Sequence, residues 1–284
     1  MTQFVALSTN SRENVACALA IHAVDLTLPP IGEGVFGLGY YDSGELLARM
    51  SPREPGRPLD VARELVSLEA EVFVLHTGPS ACAEDSRHED VQPFRFQDWL
   101  MARTGEIAGF ADFSERIVCA MPPFIRRAMC GGTPDEHFFH LFLSFLFDAG
   151  HIGRNNVGTH EIRRAIGQAI AAVDAFAEAA GHRPSDFSVA VSDGYGLVVT
   201  GRGVPVKYAL IEGVRDCQIC RDSRQVSEGC GTGMDHAEVR GVLVVSGTER
   251  PAAAPFTSLR SGEVLSVTPD TKVEFHTLEQ LAGR

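Results

Sequence analysis

The sequence carries little positive charge for its length. Its 284 residues include 25 lysines and arginines against 37 aspartates and glutamates, and the formal net charge is −12. This balance disfavours a broad electrostatic attraction to nucleic acid or to an anionic membrane. No run approaches the roughly 20 apolar residues that a membrane-spanning helix needs. The N-terminus has no basic stretch followed by an apolar one, so we expect a cytoplasmic protein that binds neither membrane nor nucleic acid.

Linker-like composition is also missing. No stretch rich in proline, glycine and serine is long enough to separate two folding units, so we expect residues 1–284 to form one domain. The seven cysteines are odd in number and lack the spacing of a disulfide-bonded secreted scaffold, which predicts reduced thiols.

The hydrophobic periodicity predicts a mixed α+β chain. Apolar residues at helical spacing predict helices over residues 12–24, 59–70, 123–129, 137–147 and 159–180, with Ser11 as a cap of the first and Thr133 with Glu136 as a capping box before the fourth. Alternating patterns predict a hairpin that turns at Ser43–Gly44, a second hairpin that turns at Ser192–Gly194, and strands over residues 71–75, 239–246, 263–268 and 272–276.

The segment from Gln92 to Ile107 is the first candidate for a functional site. Residues 99–102 are apolar and predict a buried strand that stops at Thr104–Gly105. Glycine tolerates a positive φ and lets a ligand approach the main chain, which suits an oxyanion-binding turn. An ordinary tight turn after a strand is the alternative interpretation.

Several motifs resemble those of class II glutamine amidotransferases, in their compact bacterial branch. The similar segments are Pro93-Phe94, Trp99-Leu100, Gly105-Glu106-Ile107, Gly37-Leu38-Gly39-Tyr40-Tyr41 and Ser192-Asp193-Gly194. The resemblance spans residues 2 to about 278. It implies the four-layer αββα sandwich of N-terminal nucleophile hydrolases, and an ancestral chemistry that hydrolyses the glutamine side-chain amide through a thioester.

The resemblance also implies roles for three residues. Thr2 lies where the family has its nucleophilic cysteine, and a threonine hydroxyl activated by its own amine is the corresponding nucleophile. In the family, an asparagine side chain and the backbone amide of the following glycine form the oxyanion hole. Thr104 replaces this asparagine here, and Gly105 corresponds to the glycine. The alternative is that Thr2 lies in an inactive site.

The positions that would recognise glutamine differ from the family pattern. No arginine occurs between Val72 and Ala83, where the family's carboxylate-binding arginine lies, so His76 and Thr77 are the candidates for contacting the ligand there. A structural role for His76 is the alternative. Pro134 replaces the aspartate that holds the glutamine amine, and Asp135 is the neighbouring substitute.

A metal-binding pattern lies in a predicted loop insertion at about residues 213–237. Its potential ligands are Cys217, Cys220, Cys230 and His236. Two cysteines separated by two residues can hold one edge of a tetrahedral zinc ion, and the site would be structural. A loop of reduced thiols without metal is the alternative.

Two functions are compatible with these residues. The first is an amidotransferase-like protein that has lost glutamine hydrolysis and acts as a binding or regulatory module for a small amide, an amino-acid-like ligand or a protein partner. The alternative is an active amidohydrolase that uses Thr2 on glutamine or another small amide. Replacement of an oxyanion donor alone costs roughly 10²–10³ in rate, which favours the first for glutamine.

Overall fold

The computed structural model describes residues 2–20, 26–31, 34–79, 90–214, 217, 236–247 and 255–278. The strands within these ranges are β1 (Gln3–Thr9), β2 (Thr27–Leu28), β3 (Gly34–Asp42), β4 (Glu45–Arg53), β5 (Leu59–Asp60), β6 (Val72–Pro79), β7 (Phe94–Phe96), β8 (Trp99–Glu106), β9 (Asp186–Ser192), β10 (Leu197–Arg202), β11 (Val206–Glu212), β12 (Arg240–Ser246), β13 (Thr257–Ser258), β14 (Glu263–Val267) and β15 (Val273–Thr277). The α-helices are α1 (Val15–Ala20), α2 (Val61–Glu64), α3 (Ser114–Ala120), α4 (Pro123–Ala128), α5 (Pro134–Asp148) and α6 (Thr159–Ala179).

The strands form two large sheets and one small pair. The seven-stranded sheet has the order β13-β11-β12-β1-β6-β3-β4, and the six-stranded sheet has the order β15-β14-β10-β9-β8-β7. Strands β2 and β5 pair separately. The named strands pair antiparallel, with Val5 opposite Val245 and Leu75 in the seven-stranded sheet and Ala102 opposite Ala190 in the six-stranded sheet.

Alternation along the strands divides the buried apolar side chains into three clusters. The inter-sheet cluster joins both large sheets, and includes Phe4 and Val74 of one and Leu100 and Val199 of the other. The helical cluster packs Trp99 and Met101 of β8 against α5 and α6. The outer cluster packs residues such as Val5 and Leu75 against α1. Each strand of the central region therefore presents successive residues to two different environments.

The Thr133 cap and both predicted hairpin turns are present in the structure. The Thr133 hydroxyl accepts a hydrogen bond from the Glu136 amide at 3.2 Å and begins α5, with Pro134 in the first turn. The predicted hairpin turn at Ser43–Gly44 is confirmed, with both residues at positive φ. The hairpin at Ser192–Gly194 is confirmed as well, since β9 and β10 pair across it.

Two helix predictions were wrong in extent. Residues 12–24 contain a short 3-10 turn (Arg12–Asn14) followed by α1, and residues 21–25 lie outside the described ranges. Ser11 does not cap this turn with its side chain, because its hydroxyl accepts a hydrogen bond from Asn14 Nδ2 at 2.8 Å. The helix predicted over 59–70 is reduced to α2, since Leu59 and Asp60 pair with β2.

Within the described ranges, no helix is both long enough and apolar enough to cross a bilayer.

Candidate functional site

Thr2 lies immediately before β1, where three strands meet. It is half-buried. A Cβ added at Gly78 of β6 would lie 2.7 Å from Thr2 Cγ2, and one added at Gly247, just after β12, would lie 2.5 Å from the Thr2 carbonyl oxygen. Glycine at both positions therefore allows the neighbouring chain segments to approach Thr2 closely. Gln3 Nε2 also donates a hydrogen bond to the Gly247 carbonyl at 3.0 Å, which fixes the start of β1.

His76 lies beside Thr2 on the side of β6 that faces the inter-sheet cluster. It lies opposite Phe4 of the neighbouring strand β1, and it is 7% exposed. Its Nε2 is buried and has no hydrogen-bond partner among the described residues. Burial lowers the pKa of the His76 imidazole to about 4, so the ring is uncharged at pH 7. An anion contact of the predicted kind requires protonation of this ring.

Thr77 faces the opposite side of the same strand. Its hydroxyl donates to the Val35 carbonyl at 3.2 Å and accepts from Arg53 Nη1 at 3.2 Å. Arg53 is buried at the end of β4, and burial lowers the pKa of its guanidinium. Sequence reasoning missed Arg53 because it searched for an arginine only within the strand that carries His76 and Thr77, and strand pairing through β3 supplies this one.

A cavity of about 280 Å³ lies next to this arginine. It is lined by three cationic residues, Arg53, Arg57 and Arg63, and by apolar residues of β3 and β5. Three acidic side chains, Glu54, Asp60 and Glu64, also line it. The mixed lining gives no net preference for a charged ligand.

The Thr104 hydroxyl is held within a buried cluster of hydroxyl groups. Thr104 lies on β8, and its Oγ1 is 2.9 Å from Ser188 Oγ on β9 and 3.5 Å from Ser246 Oγ on β12. The two serine hydroxyls are hydrogen-bonded to each other. All three residues are at most 2% exposed. This cluster connects the two sheets, so the Thr104 hydroxyl already has protein partners.

Gly105 continues the strand, and the predicted strand end at Thr104–Gly105 was wrong. Thr104 pairs with Ser188 and Gly105 pairs with Phe187, so β8 runs on to Glu106. Gly105 has a φ of 108°, and a Cβ placed there would lie 2.3 Å from the Asp186 carbonyl oxygen. The glycine is therefore required by the close approach of β9, in addition to any contact with a ligand.

Asp135 lies on the other side of the six-stranded sheet, at the first turn of α5. Its carboxylate forms an ion pair with Arg103, whose side chain is only 1% exposed, and accepts a hydrogen bond from Gln92 Nε2 at 3.0 Å. Gln92 Oε1 accepts from the Arg103 amide at 2.6 Å. Burial raises the pKa of the Asp135 carboxyl, and the Arg103 guanidinium opposes this rise. The predicted amine-binding carboxylate is therefore engaged within the protein.

A second cavity, of about 500 Å³, lies between the β3–β4 hairpin and the start of α5. Apolar and cationic residues line it together with Glu136, and they include Leu38, Met50, Phe94, Phe139, Arg49 and Arg95.

The capping-box prediction for Glu136 was wrong in its second half. Its Oε1 accepts from the amides of Cys130 at 2.7 Å and Gly131 at 3.1 Å, and its buried Oε2 has no partner in the part of the chain that the structure describes.

The predicted metal ligands are only partly within the described ranges. Cys220 and Cys230 lie outside them. Cys217 and His236 do come together, and the third residue beside them is Cys17 of α1. Burial raises the pKa of the Cys17 thiol to about 12, and a hydrogen bond with Cys217 adds to this rise. No pattern in the sequence linked Cys17 to the other two.

The predicted site residues therefore occupy three environments. Thr2, His76 and Thr104 face the space between the two sheets, Thr77 faces the outer side of the seven-stranded sheet, and Asp135 faces the helices. The inter-sheet group offers a hydroxyl, an uncharged imidazole and a hydroxyl cluster. These groups can donate and accept hydrogen bonds, and the imidazole can accept a proton from a neighbouring hydroxyl.

The buried imidazole predicts a pH dependence of stability. Because the pKa of His76 is lowered from 6.5 to about 4 on folding, the unfolded state binds more protons between these values. The free energy of unfolding therefore decreases as the pH falls below 6.5, because protons bind the unfolded state preferentially. The contribution of His76 to this decrease is about 2 kcal/mol at pH 5. Urea unfolding at both pH values should show a smaller change in His76→Gln than in the unchanged protein.

His160→Gln is the control for this measurement, because the His160 side chain is 68% exposed. It should keep the full pH dependence. An equal change between pH 7 and 5 in the unchanged protein and in His76→Gln would contradict the assignment of the effect to His76.

Comparisons with known proteins give likenesses of structure. No known family profile and no curated protein matches the chain. A glutamine aminotransferase class-II domain protein from Silicibacter pomeroyi has a TM-score of 0.59 and 18% identity, over 97% of this chain and 99% of that one. A predicted glutamine amidotransferase from Pseudomonas aeruginosa has a TM-score of 0.53 and 13% identity, over 95% and 98%.

A larger protein contains the same fold as one part. The glutamine phosphoribosylpyrophosphate amidotransferase from B. subtilis has a TM-score of 0.53 and 13% identity, over 97% of this chain but only 49% of that one. At these identities the likenesses establish the shared fold, which is that of class II glutamine amidotransferase domains, and leave the activity to be argued from the site.

Proposed function

We propose that this protein is a class II glutamine amidotransferase-like protein that binds a small amide or amino-acid-like ligand without hydrolysing glutamine. We also propose that its sheets and helices form the four-layer αββα sandwich of N-terminal nucleophile hydrolases. The shared fold of the structural neighbours and the three apolar clusters support this arrangement.

The ion pair of Arg103 with Asp135 is the observation that carries the proposal. A carboxylate that binds a ligand's amine must be able to exchange one partner for another. Here the carboxylate is held by a guanidinium whose side chain is 1% exposed. Separating the two would leave an uncompensated buried charge, which costs several kcal/mol. Asp135 is therefore a poor substitute for a ligand-binding aspartate.

The replaced oxyanion donor supports the same conclusion. A donor must point at the position where negative charge develops in the transition state. The Thr104 hydroxyl instead forms its hydrogen bonds with Ser188 and Ser246, inside a cluster with almost no solvent exposure. Recruiting this hydroxyl for catalysis would require breaking those bonds.

The cavity of about 500 Å³ is the space in which we place a ligand. Its volume lies within the range typical of small-molecule sites, and its lining is largely apolar with a few charged groups. Arg49 and Arg95 suit a carboxylate, and Glu136 Oε2, which has no partner among the residues that the structure describes, suits an amine. An amino-acid-like ligand carries both of these groups.

An active amidohydrolase is the second candidate, and the position of His76 favours it. Its uncharged imidazole has a buried Nε2 with no hydrogen-bond partner among the described residues, and it lies beside Gly78, against which the Thr2 side chain packs. A neutral imidazole can accept a proton from a hydroxyl, and the pKa of about 4 makes His76 a weak base at pH 7. This candidate uses Thr2 as nucleophile, with or without help from its own amine, on glutamine or another small amide.

One experiment tests both candidates. Glutamine, asparagine and other small amides and amino acids are titrated calorimetrically into the purified protein, and ammonia is measured in the same samples against heat-treated protein. We expect binding of at least one amide or amino acid and no ammonia from glutamine above the control. Failure of every compound to bind would refute the binding role.

Turnover must also be assigned to Thr2. Ammonia release that disappears in Thr2→Ala would overturn the proposed loss of hydrolysis and establish the second candidate. Mass spectrometry of the mature N-terminus belongs to the same experiment, because a retained Met1 removes the free amine that would activate Thr2.

A further inference from the structure

Three residues with soft or imidazole donors meet at the edge of the outer cluster. Cys17 lies on α1, Cys217 lies beyond β11, and His236 begins the short 3-10 turn that precedes β12. One ligand atom from each of the three lies within 4.8 Å of the other two. Such a group brings together segments that are distant in the sequence, and none of its three residues lines either of the two cavities described above.

Backbone hydrogen bonds hold two of these segments in place. The Gly213 amide donates to the Val239 carbonyl at 2.8 Å, and the Val214 amide donates to the His236 carbonyl at 2.7 Å. Val214 and Val239 are buried in the outer cluster. The chain is therefore fixed at the point where it leaves β11 and again where it returns to β12, so the position of His236 does not depend on a bound ion.

Cys17 is held by the packing of α1. Its neighbours Val15, Ala18 and Leu19 belong to the outer cluster, and Cys17 itself is 3% exposed. Cys217 is 8% exposed, and His236 is half-buried. The Cys17 and Cys217 thiols share a hydrogen bond. The ligand atoms thus lie in a largely dry, preformed environment.

The donor types select the metal. Two thiolates and an imidazole are ligands that zinc takes in tetrahedral sites, whereas calcium and magnesium require oxygen ligands. Two neighbouring thiols that share a hydrogen bond, and a disulfide formed between them, are the competing states of the same residues. The His236 imidazole beside the two thiols completes a set of donors of the kind that zinc takes.

We propose that Cys17, Cys217 and His236 bind a structural zinc ion that ties the insertion after β11 to α1. The ion would displace two thiol protons and link the outer cluster to both ends of the insertion. This set differs from the one predicted from the sequence, since Cys17 enters it from the distant N-terminal helix. The zinc site is independent of the proposed ligand binding and of any hydrolysis.

Metal analysis of the full chain is the test. Protein purified under reducing conditions without added zinc should contain about one zinc ion per chain. Cys17→Ser, Cys217→Ser and His236→Ala should each lower this content at least tenfold. Cys119→Ser is the matched control, because Cys119 is an exposed thiol on α3, and this variant should retain the metal.

A second measurement keeps the proposal testable if a variant does not fold. Cobalt added to the unchanged protein after removal of zinc should produce thiolate-to-cobalt charge-transfer absorption, and blocking the thiols should abolish it.

Three results would overturn the proposal. They are protein that neither contains nor takes up zinc or cobalt, full metal content in Cys17→Ser, and a Cys17–Cys217 disulfide found by mass spectrometry under the reducing conditions of purification.

Discussion

Asp135→Leu is expected to lower the free energy of unfolding by about 3–5 kcal/mol, because it leaves the Arg103 guanidinium buried without its counter-charge. Arg103 is 1% exposed, and its Nε has no partner among the described residues even in the unchanged protein. Gln92 Nε2 also loses its acceptor. Urea unfolding monitored by tryptophan fluorescence measures the effect, since the single tryptophan, Trp99, is buried on the same strand as Arg103.

Two further variants separate burial from charge. Asp42→Leu removes the partner of Arg12 in a pair whose side chains are 42% and 38% exposed, and it should cost less than about 1 kcal/mol. Arg103→Met combined with Asp135→Leu removes both charges of the pair and should recover most of the stability. A loss in Asp135→Leu no larger than that in Asp42→Leu would show that the buried pair does not stabilise the fold.

Gly105→Ala is expected to destabilise the protein by about 2–5 kcal/mol, which combines backbone strain at positive φ with a steric clash. The φ of 108° is one that side-chain-bearing residues rarely adopt, and the new Cβ would lie 2.3 Å from the Asp186 carbonyl oxygen and 2.7 Å from Phe187 Cα. Both contacts are with the backbone of β9, which cannot move without disturbing its pairing with β10. Thermal and urea unfolding measure the effect.

Gly44→Ala isolates the backbone contribution. Gly44 has a φ of 85° in the β3–β4 turn, and a Cβ there meets no atom within 4 Å in the described part of the chain. Its cost should be about 1–2 kcal/mol, and the excess in Gly105→Ala measures the clash with β9. Equal losses in the two variants would mean that β9 yields to the extra methyl group, and that Gly105 is not required by packing.

The positions of Arg103 and Gly105 also change the interpretation of the segment from Gln92 to Ile107. The sequence suggested an oxyanion-binding turn after a short strand. In the structure the strand continues through Thr104 and Gly105, and its alternating side chains serve two different purposes. Arg103 faces α5 and Thr104 faces the other sheet. The polar side chains of this segment are therefore engaged within the protein.

Local sequence patterns were sufficient to predict individual helices, strands and hairpins. Strong periodicity and caps specified α5, α6 and the hairpins at Ser43–Gly44 and Ser192–Gly194, because such features depend on residues within a few positions of one another. The strands predicted near the C-terminus are confirmed as β12, β14 and β15. The family resemblance predicted the fold that the structural neighbours share. Local patterns failed over residues 59–70, where pairing with β2 overrode a helical pattern.

The partners of the polar side chains could be identified only from the tertiary structure. Arg103 with Asp135, Arg53 with Thr77, Thr104 with Ser188 and Cys17 with Cys217 are pairs between residues far apart in the chain. Periodicity indicates which face of a strand a residue occupies, but the register and the packing of two sheets determine what lies opposite it. Whether a candidate functional group can reach a ligand or is held by its neighbours depends on those long-range contacts.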